Sequence, residues 1–510
     1  MKFFSHAIRL IATVLCCLAA PAADNAKAWK PEIPKAWDDV ALLEWATPVS
    51  GLNVRPAHIS SKDYYALRID NVRTYPVYFP GREPDGYWAM LQHLGPKPLI
   101  EPEKLKTEAD WIEAGRRVFD EADHIHLRTF DPKLIAIARD PATYKGKKPL
   151  ADGTASDIRW VPTPDGLALG IRDCSACHTR YREDGTAIPG APRNEIGSAA
   201  AVGLIGPMQT AKRVVNASAP FHMGPQRFGE WLYQAWGVPW RENDINARLR
   251  TMTEAEYAPL LNAFFRGGGN PRWNGSIFFP TKIPDLIGIE HRKYIDHTAT
   301  HQHRNIGDLM RYAALVDYAE AADFGPYHML APGTRRVSAR MPDEALYALA
   351  LYIYSLKPPA NPNPFDSMAR AGQQIFVREG CPACHTPPLY TNNKLTLAKG
   401  FIPPKDVPAS LDILRITVGT DPGLALETRK GTGYYKVPSL RGVWYRGHYL
   451  HDGAAASLEE MFDAGRLKDT HVPGGYSPAG VKTRAILGHE FGLQLKQRER
   501  EELIAFLKTL

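Results

Sequence analysis

The stretch "GIRDCSACHTRY" at residues 170–181 sets Cys174, Cys177 and His178 within five positions, and "EGCPACHTPP" at 379–388 repeats the arrangement with Cys381, Cys384 and His385. Two thiols and an imidazole so spaced suit three chemistries: tetrahedral zinc binding, a redox dithiol, or covalent attachment of a haem. Haem attachment uses the whole pattern, two thiols for the vinyl groups on one porphyrin edge and an adjacent imidazole for the iron. Zinc would need the thiolates of both copies, or further histidines, to converge. A dithiol has no use for a histidine in both copies. At this composition roughly 0.002 copies of the pattern arise by chance, against the pair observed. The reading is therefore two covalently bound c-type haems, with His178 and His385 as the proximal iron ligands.

Around the motifs the sequence repeats itself in one order. "EAGRRVF" at 113–119 matches "RAGQQIF" at 370–376, each a short amphipathic helix with a glycine on one face. "IPDLIGI" at 283–289 matches "VPSLRGV" at 437–443, and "KYIDH" at 293–297 falls opposite "HYLHD" at 448–452 with one residue inserted. "ALYALALYIYSL" at 345–356 matches "REELIAFLKTL" at 500–510 as a closing helix. The unit is an entry helix, a haem motif, a Pro-x-Leu-x-Gly loop and a closing helix. Residues 358–366, "PPANPNPFD", cannot sustain a helix and separate the copies. The expected organisation is a secretory signal at 1–28, an irregular N-terminal extension at 29–104, a first haem domain at 105–357, a linker at 358–366 and a second haem domain at 367–510. The first domain is inflated by insertions, about 55 residues of them ahead of Cys174.

The chain of 510 residues carries 62 Lys+Arg against 55 Asp+Glu, a net charge of +7 spread over its length. No basic run is dense enough to track phosphates, so nucleic acid is excluded as a partner. Lys2 and Arg9 precede a charge-free stretch, Leu10 to Ala23, which is too short to span a bilayer and reads as a cleaved export signal. Four of the six cysteines belong to the two motifs and the other two, Cys16 and Cys17, to the signal, which leaves none for structural disulfides. The expectation is a periplasmic protein without an integral membrane span.

The second half resembles the bacterial di-haem cytochrome c peroxidase superfamily through "VPSLRGVWYRGHYLHDGAAASLEEMF" at 437–462. The ending "GHEFGLQLKQREREELIAFLKTL" at 488–510 and "LYALALYIYSLKPPANPNP" at 346–364 are closer to its rubber-oxygenase-like branch. The resemblance implies an all-α fold of two cytochrome c-like haem domains, with the haems near enough to exchange electrons. It also points to His489 in "GHEFG" as distal ligand of the second iron. The peroxidase branch often places a Met or Tyr ligand shortly beyond "SLEE", whereas here Gly465 occupies that position and Met461 comes too early. His471 is the runner-up ligand, and His451 is expected to hydrogen-bond within its loop. Aligning the closing helices sets Arg335, which cannot ligate iron, opposite His489, and Met341 opposite Leu495. An open first iron follows as the favoured reading, with Met341 as the competing ligand.

Other residues enter as candidates. His297 and His301, in the histidine-rich run 290–305 with His291 and His303, could act as acid/base near an open haem, although a separate metal site or exposed loop histidines fit as well. The distal acid/base Glu of the peroxidase branch has no match. Arg441 and Arg446 could pair with haem propionates or with surface carboxylates. Aromatic residues crowd the first domain (Phe228, Trp231, Tyr233, Trp236, Trp240, Phe264, Phe265, Trp273, Phe278 and Phe279) and are expected mostly in its core. A bridging calcium ion is compatible with the sequence but nothing marks its site. Two functions remain in play. One is an oxidoreductase that activates peroxide or O2 at the first haem and moves electrons through the second, serving a redox partner or a small-molecule substrate. The other is a non-catalytic electron carrier for a periplasmic dehydrogenase.

Overall fold

A computed structural model describes residues 29–49, 54–125, 128–146, 148–182, 184–193, 277–318, 338–405, 407–428 and 431–510, with short stretches between 238 and 263 and between 322 and 328. The export signal at 1–28, Arg335 and the aromatics Phe228, Trp231, Tyr233, Trp236, Phe264, Phe265 and Trp273 lie outside the described residues.

The repeated unit is present in both halves. The first entry helix, Glu108–Glu121, starts at a Thr107–Asp110 capping box and buries Trp111, Ala114, Gly115, Val118 and Phe119. Its partner is the closing helix Asp343–Ser355. The second entry helix, Ser367–Arg378, is capped by Asp366 and packs on the closing helix Gln497–Lys508. The paired glycines explain each other. A Cβ on Gly115 would stand 1.9 Å from the Ala348 carbonyl oxygen and one on Gly372 1.9 Å from that of Glu502, so each pair of helices meets backbone to backbone. The loop glycines match too, since Gly288 and Gly442 hold φ of +71° and +77°, a conformation open to glycine at no steric cost.

The expectation of an all-α protein is overturned: the fold is mixed. Among the described residues there are three three-stranded and two two-stranded sheets. The largest is built from the insertion ahead of the first motif. Thr154–Thr163 pairs antiparallel with Gly166–Ile171 across a turn at Pro164 and Asp165, and Tyr75–Tyr78 from the extension adds an edge. Its core joins Val77, Ile158, Trp160 and Leu169 to Leu134 and Tyr144. A Pro-Asp-Gly turn between runs rich in Ile, Val, Trp and Leu is a hairpin signal, hidden behind a resemblance that covers the helical frame and not its insertions. A second sheet, formed by Leu395–Leu397, Ile413–Thr417 and Tyr434–Lys436, lies between the second motif and its closing helix.

The extension is less irregular than its composition suggests. Trp37, Trp45 and Tyr64 are fully buried in one core with Trp111, Phe119, Met341 and Leu346. Arg68–Ile69 pairs in parallel with Ala339–Arg340, immediately ahead of the first closing helix. No helix among the described residues is long and apolar enough to cross a membrane.

Candidate haem-binding sites

Each motif is a short turn of helix whose histidine is held by the matching loop. Cys174–Cys177 follows directly from the large sheet through Arg172 and Asp173. Asp173 accepts from His124 Nε2 at 3.0 Å. Arg193 clamps the turn from the other side, donating to the Ala176 carbonyl and pairing with the buried Asp157 of the sheet's central strand. The His178 imidazole lies beside the Pro284 backbone, and burial pushes its pKa down to about 4. In the second copy the backbone of Pro438, together with the Tyr390 carbonyl 3.2 Å from Nδ1, holds His385, whose pKa burial also lowers. Pro284 and Pro438 are the prolines of the repeated Pro-x-Leu-x-Gly loops. Each loop therefore aims a neutral imidazole, the form that binds iron.

The second site is a cavity of about 270 Å³ lined by Cys381, Cys384, His385 and His489 among others. The His385 and His489 rings are half-buried, facing each other across it with centroids 6.3 Å apart and planes inclined by 55°. A metal ion bonded at about 2 Å to one nitrogen of each ring, on opposite sides, sets the centroids roughly 6.3 Å apart. The residues fit a six-coordinate haem iron. Burial, the charge of His385 and that of Arg466 push His489 down to about 4, again towards the neutral ligand form. Burial raises the Cys381 thiol to about 11 and also raises Cys384, the opposite of what a nucleophilic dithiol requires. The four cysteines are free of disulfides, and among the described residues no group of three or more His, Cys, Asp or Glu converges as a metal site.

What positions His489 was missed from sequence. Arg466 is completely buried and spends its guanidinium on carbonyls: Nε donates to Met461 at 2.9 Å, Nη1 to Ile486, and Nη2 to Gly488 at 2.8 Å and His489 at 2.9 Å. His489 itself sits at φ +50°, its N–H donating to Val418 O at 2.6 Å. The neighbouring Gly488, at φ +82°, leaves no room for a Cβ, which would fall 2.2 Å from Thr420 N. The segment after "SLEE" thus supplies a clamp for the distant "GHEFG" loop, and the only signal was the charged residue beside Gly465.

The other candidates fall in different places. His297 lines the second cavity and its Nε2 lies 3.0 Å from the Lys282 carbonyl. His301 is fully buried under Trp45, centroids 3.8 Å apart, with its Nε2 3.3 Å from His58 Nε2. His303 bridges Arg292 O and the Tyr354 hydroxyl, while His291 is exposed. His471 is committed to Glu460 at 2.8 Å, and His451 stacks on Tyr435 with centroids 4.4 Å apart. Arg446 lines the cavity and Arg441 is exposed. Met341 is buried in the first core, against which Cys174 also packs. Phe279 packs with Leu424 and Tyr435 of the second half rather than in the first core.

No family model matches the chain. Among curated proteins it is 27% identical over 152 residues to the methylamine utilization protein MauG of Methylorubrum extorquens, covering 28% of this chain and 34% of that protein. It is 28% identical over 201 residues to cytochrome-c peroxidase IdrP1 of Denitromonas iodatirespirans, covering 33% and 49%. The IdrP1 of Pseudomonas sp. strain SCT is 26% identical over 173 residues, covering 29% and 41%. The chain thus spans a third to a half of the length of these relatives. Two solved structures are remotely similar: hydrazine synthase of Kuenenia stuttgartiensis (16% identity, TM-score 0.28, 60% of this chain and 92% of that one) and a MauG-like protein associated with microbial copper homeostasis (15%, TM-score 0.30, 56% and 88%). Both are too distant to bear on this chain's chemistry. With the paired motifs, the curated matches support membership of a di-haem cytochrome c peroxidase-like superfamily of oxidoreductases.

Proposed function

We propose that the chain is an exported di-haem c-type oxidoreductase. In this reading Cys174, Cys177 and His178 hold a first haem with an open iron, and Cys381, Cys384, His385 and His489 hold a second, closed one. The observation that carries it is the opposition of His385 and His489 at iron-spanning distance in a cavity that also presents both thiols of the second motif. When bound, haem supplies one-electron redox chemistry and, at an open iron, a position for peroxide or O2. The chain's residues do the rest. The Pro284 and Pro438 backbones lie beside the proximal imidazoles, the Tyr390 carbonyl orients that of His385, and Arg466 holds the distal loop closed over the second site. With a haem bound there, His489 would close that iron to exogenous ligands and leave it to electron transfer.

The segment 282–285 lies between the two sites, because Pro284 neighbours His178 while Lys282, Pro284 and Asp285 line the second cavity. Electrons would pass along this short bridge. The export-type sequence at 1–28 suits a periplasmic protein that meets a redox partner there. Carbon monoxide added to the fully reduced protein tests the assignment. Binding to about one haem in two supports an enzyme with an open iron, whereas no adduct in the half-reduced or fully reduced state leaves an electron carrier.

A further inference from the structure

The wall of the second cavity carries an excess of positive charge. Lys282, Arg292, Lys436 and Arg446 line it, and Asp285 is the one carboxylate among the lining residues. That carboxylate is taken, since Arg292 Nη2 approaches it at 3.4 Å and also donates to the Ile287 carbonyl at 2.6 Å. Among the described residues, the hydrogen bonds of the Lys282 ammonium and the Arg446 guanidinium go to carbonyls. The Lys282 ammonium donates to Gly447 O at 3.1 Å and His448 O at 2.5 Å, and Arg446 Nη2 donates to Ser439 O at 2.6 Å. Arg180, two residues beyond His178, adds a further cation beside them through its bond to the Arg446 carbonyl.

Cations removed from water without an anion are costly, and proteins hold them there when an anion completes the site. Burial, then Arg446, drive the Lys282 ammonium down to about 7, with Asp285 opposing and Arg180 reinforcing the shift. Cys381, Cys384, His385 and His489, which line this cavity, would hold a haem there. An anion carried by that macrocycle is the chemistry the cationic wall would recognise.

We propose that Lys282 and Arg446 form the receiving site for the propionate carboxylates of the second haem. The inference rests on the di-haem reading above and deepens it. Lys282 lies on the segment whose Pro284 neighbours His178, so the site makes that segment part of the second haem's electrostatic environment. A cation fixed beside the propionates neutralises negative charge near the iron and so favours the ferrous state.

The test is a potentiometric titration of the low-spin haem in the intact protein, alongside haem content from the pyridine haemochrome. Lys282→Met should raise the ferric-to-ferrous ratio at a fixed potential about tenfold, a fall of 59 mV for a one-electron couple. Lys282→Arg should stay within about twofold of wild type. Arg446→Gln carries the same prediction as Lys282→Met if that variant does not fold. An unmoved ratio in a protein with both haems overturns the site alone. A wild-type potential that shifts with added acetate overturns it in favour of an exchangeable carboxylate. Haem content other than two per chain overturns the di-haem reading and this one with it.

Discussion

Arg466 and His489 form a unit in which a buried cation serves as scaffold. The guanidinium satisfies three carbonyls of the tight 486–489 segment and a fourth at Met461, and it holds a non-glycine residue at positive φ. Arg466→Met removes all four bonds while roughly preserving volume, and should cost about 3 kcal/mol of stability, read as a fall in melting temperature. It should also give part of the second haem a high-spin spectrum as the loop loosens, while Arg466→Lys restores only a fraction of the low-spin form. At this scale the sequence was readable where chemistry is local. Cys381, Cys384 and His385 announce themselves by spacing. His489 was reachable only through resemblance, and Arg466, Lys282 and Asp157 act across distances no local pattern encodes.

Entry and closing helices meet at glycine in both copies, so the helix pairs make a matched prediction. Gly115→Ala and Gly372→Ala each push a methyl into a carbonyl 1.9 Å away and should each destabilise by about 2–3 kcal/mol, measured by thermal unfolding. The helix Ile306–Tyr318 offers a test by pH. Burial alone would raise the Asp308 pKa, but hydrogen bonds from Arg304 and Arg311 outweigh it and hold the carboxyl below its usual value. A carboxylate with a depressed folded pKa stabilises the fold above the unfolded value near about pH 4, and that contribution is lost as pH falls through the folded value. Asp308→Asn should therefore cost about 3 kcal/mol at pH 7 by leaving the buried Arg311 without its carboxylate, while Arg304 keeps Glu44, and its deficit should shrink below about pH 4. The amphipathic frame was legible because glycine, apolar spacing and the order of the motifs agree in each copy. The sheet of Thr154–Thr163 and Gly166–Ile171 was not, although its turn carries a hairpin signature, because its third strand comes from residues 75–78, before the first entry helix.

For the whole molecule, the two copies have diverged around a common frame. The first copy spends its insertion on a sheet that clamps Cys174–His178 through Arg193 and Asp157. It also spends the N-terminal extension on a shared aromatic core. The second copy spends its length on the Arg466-supported loop that brings His489 back over His385. The repeated order could be read from the sequence, yet the facing of His385 and His489 depends on long-range pairing of residues over a hundred positions apart. Electron paramagnetic resonance of the oxidised protein, wild type beside His489→Ala, tests the central claim most directly. The account predicts one low-spin haem in the wild type that turns high-spin in the variant, the other haem keeping its signal. A low-spin signal that survives His489→Ala unchanged would contradict it.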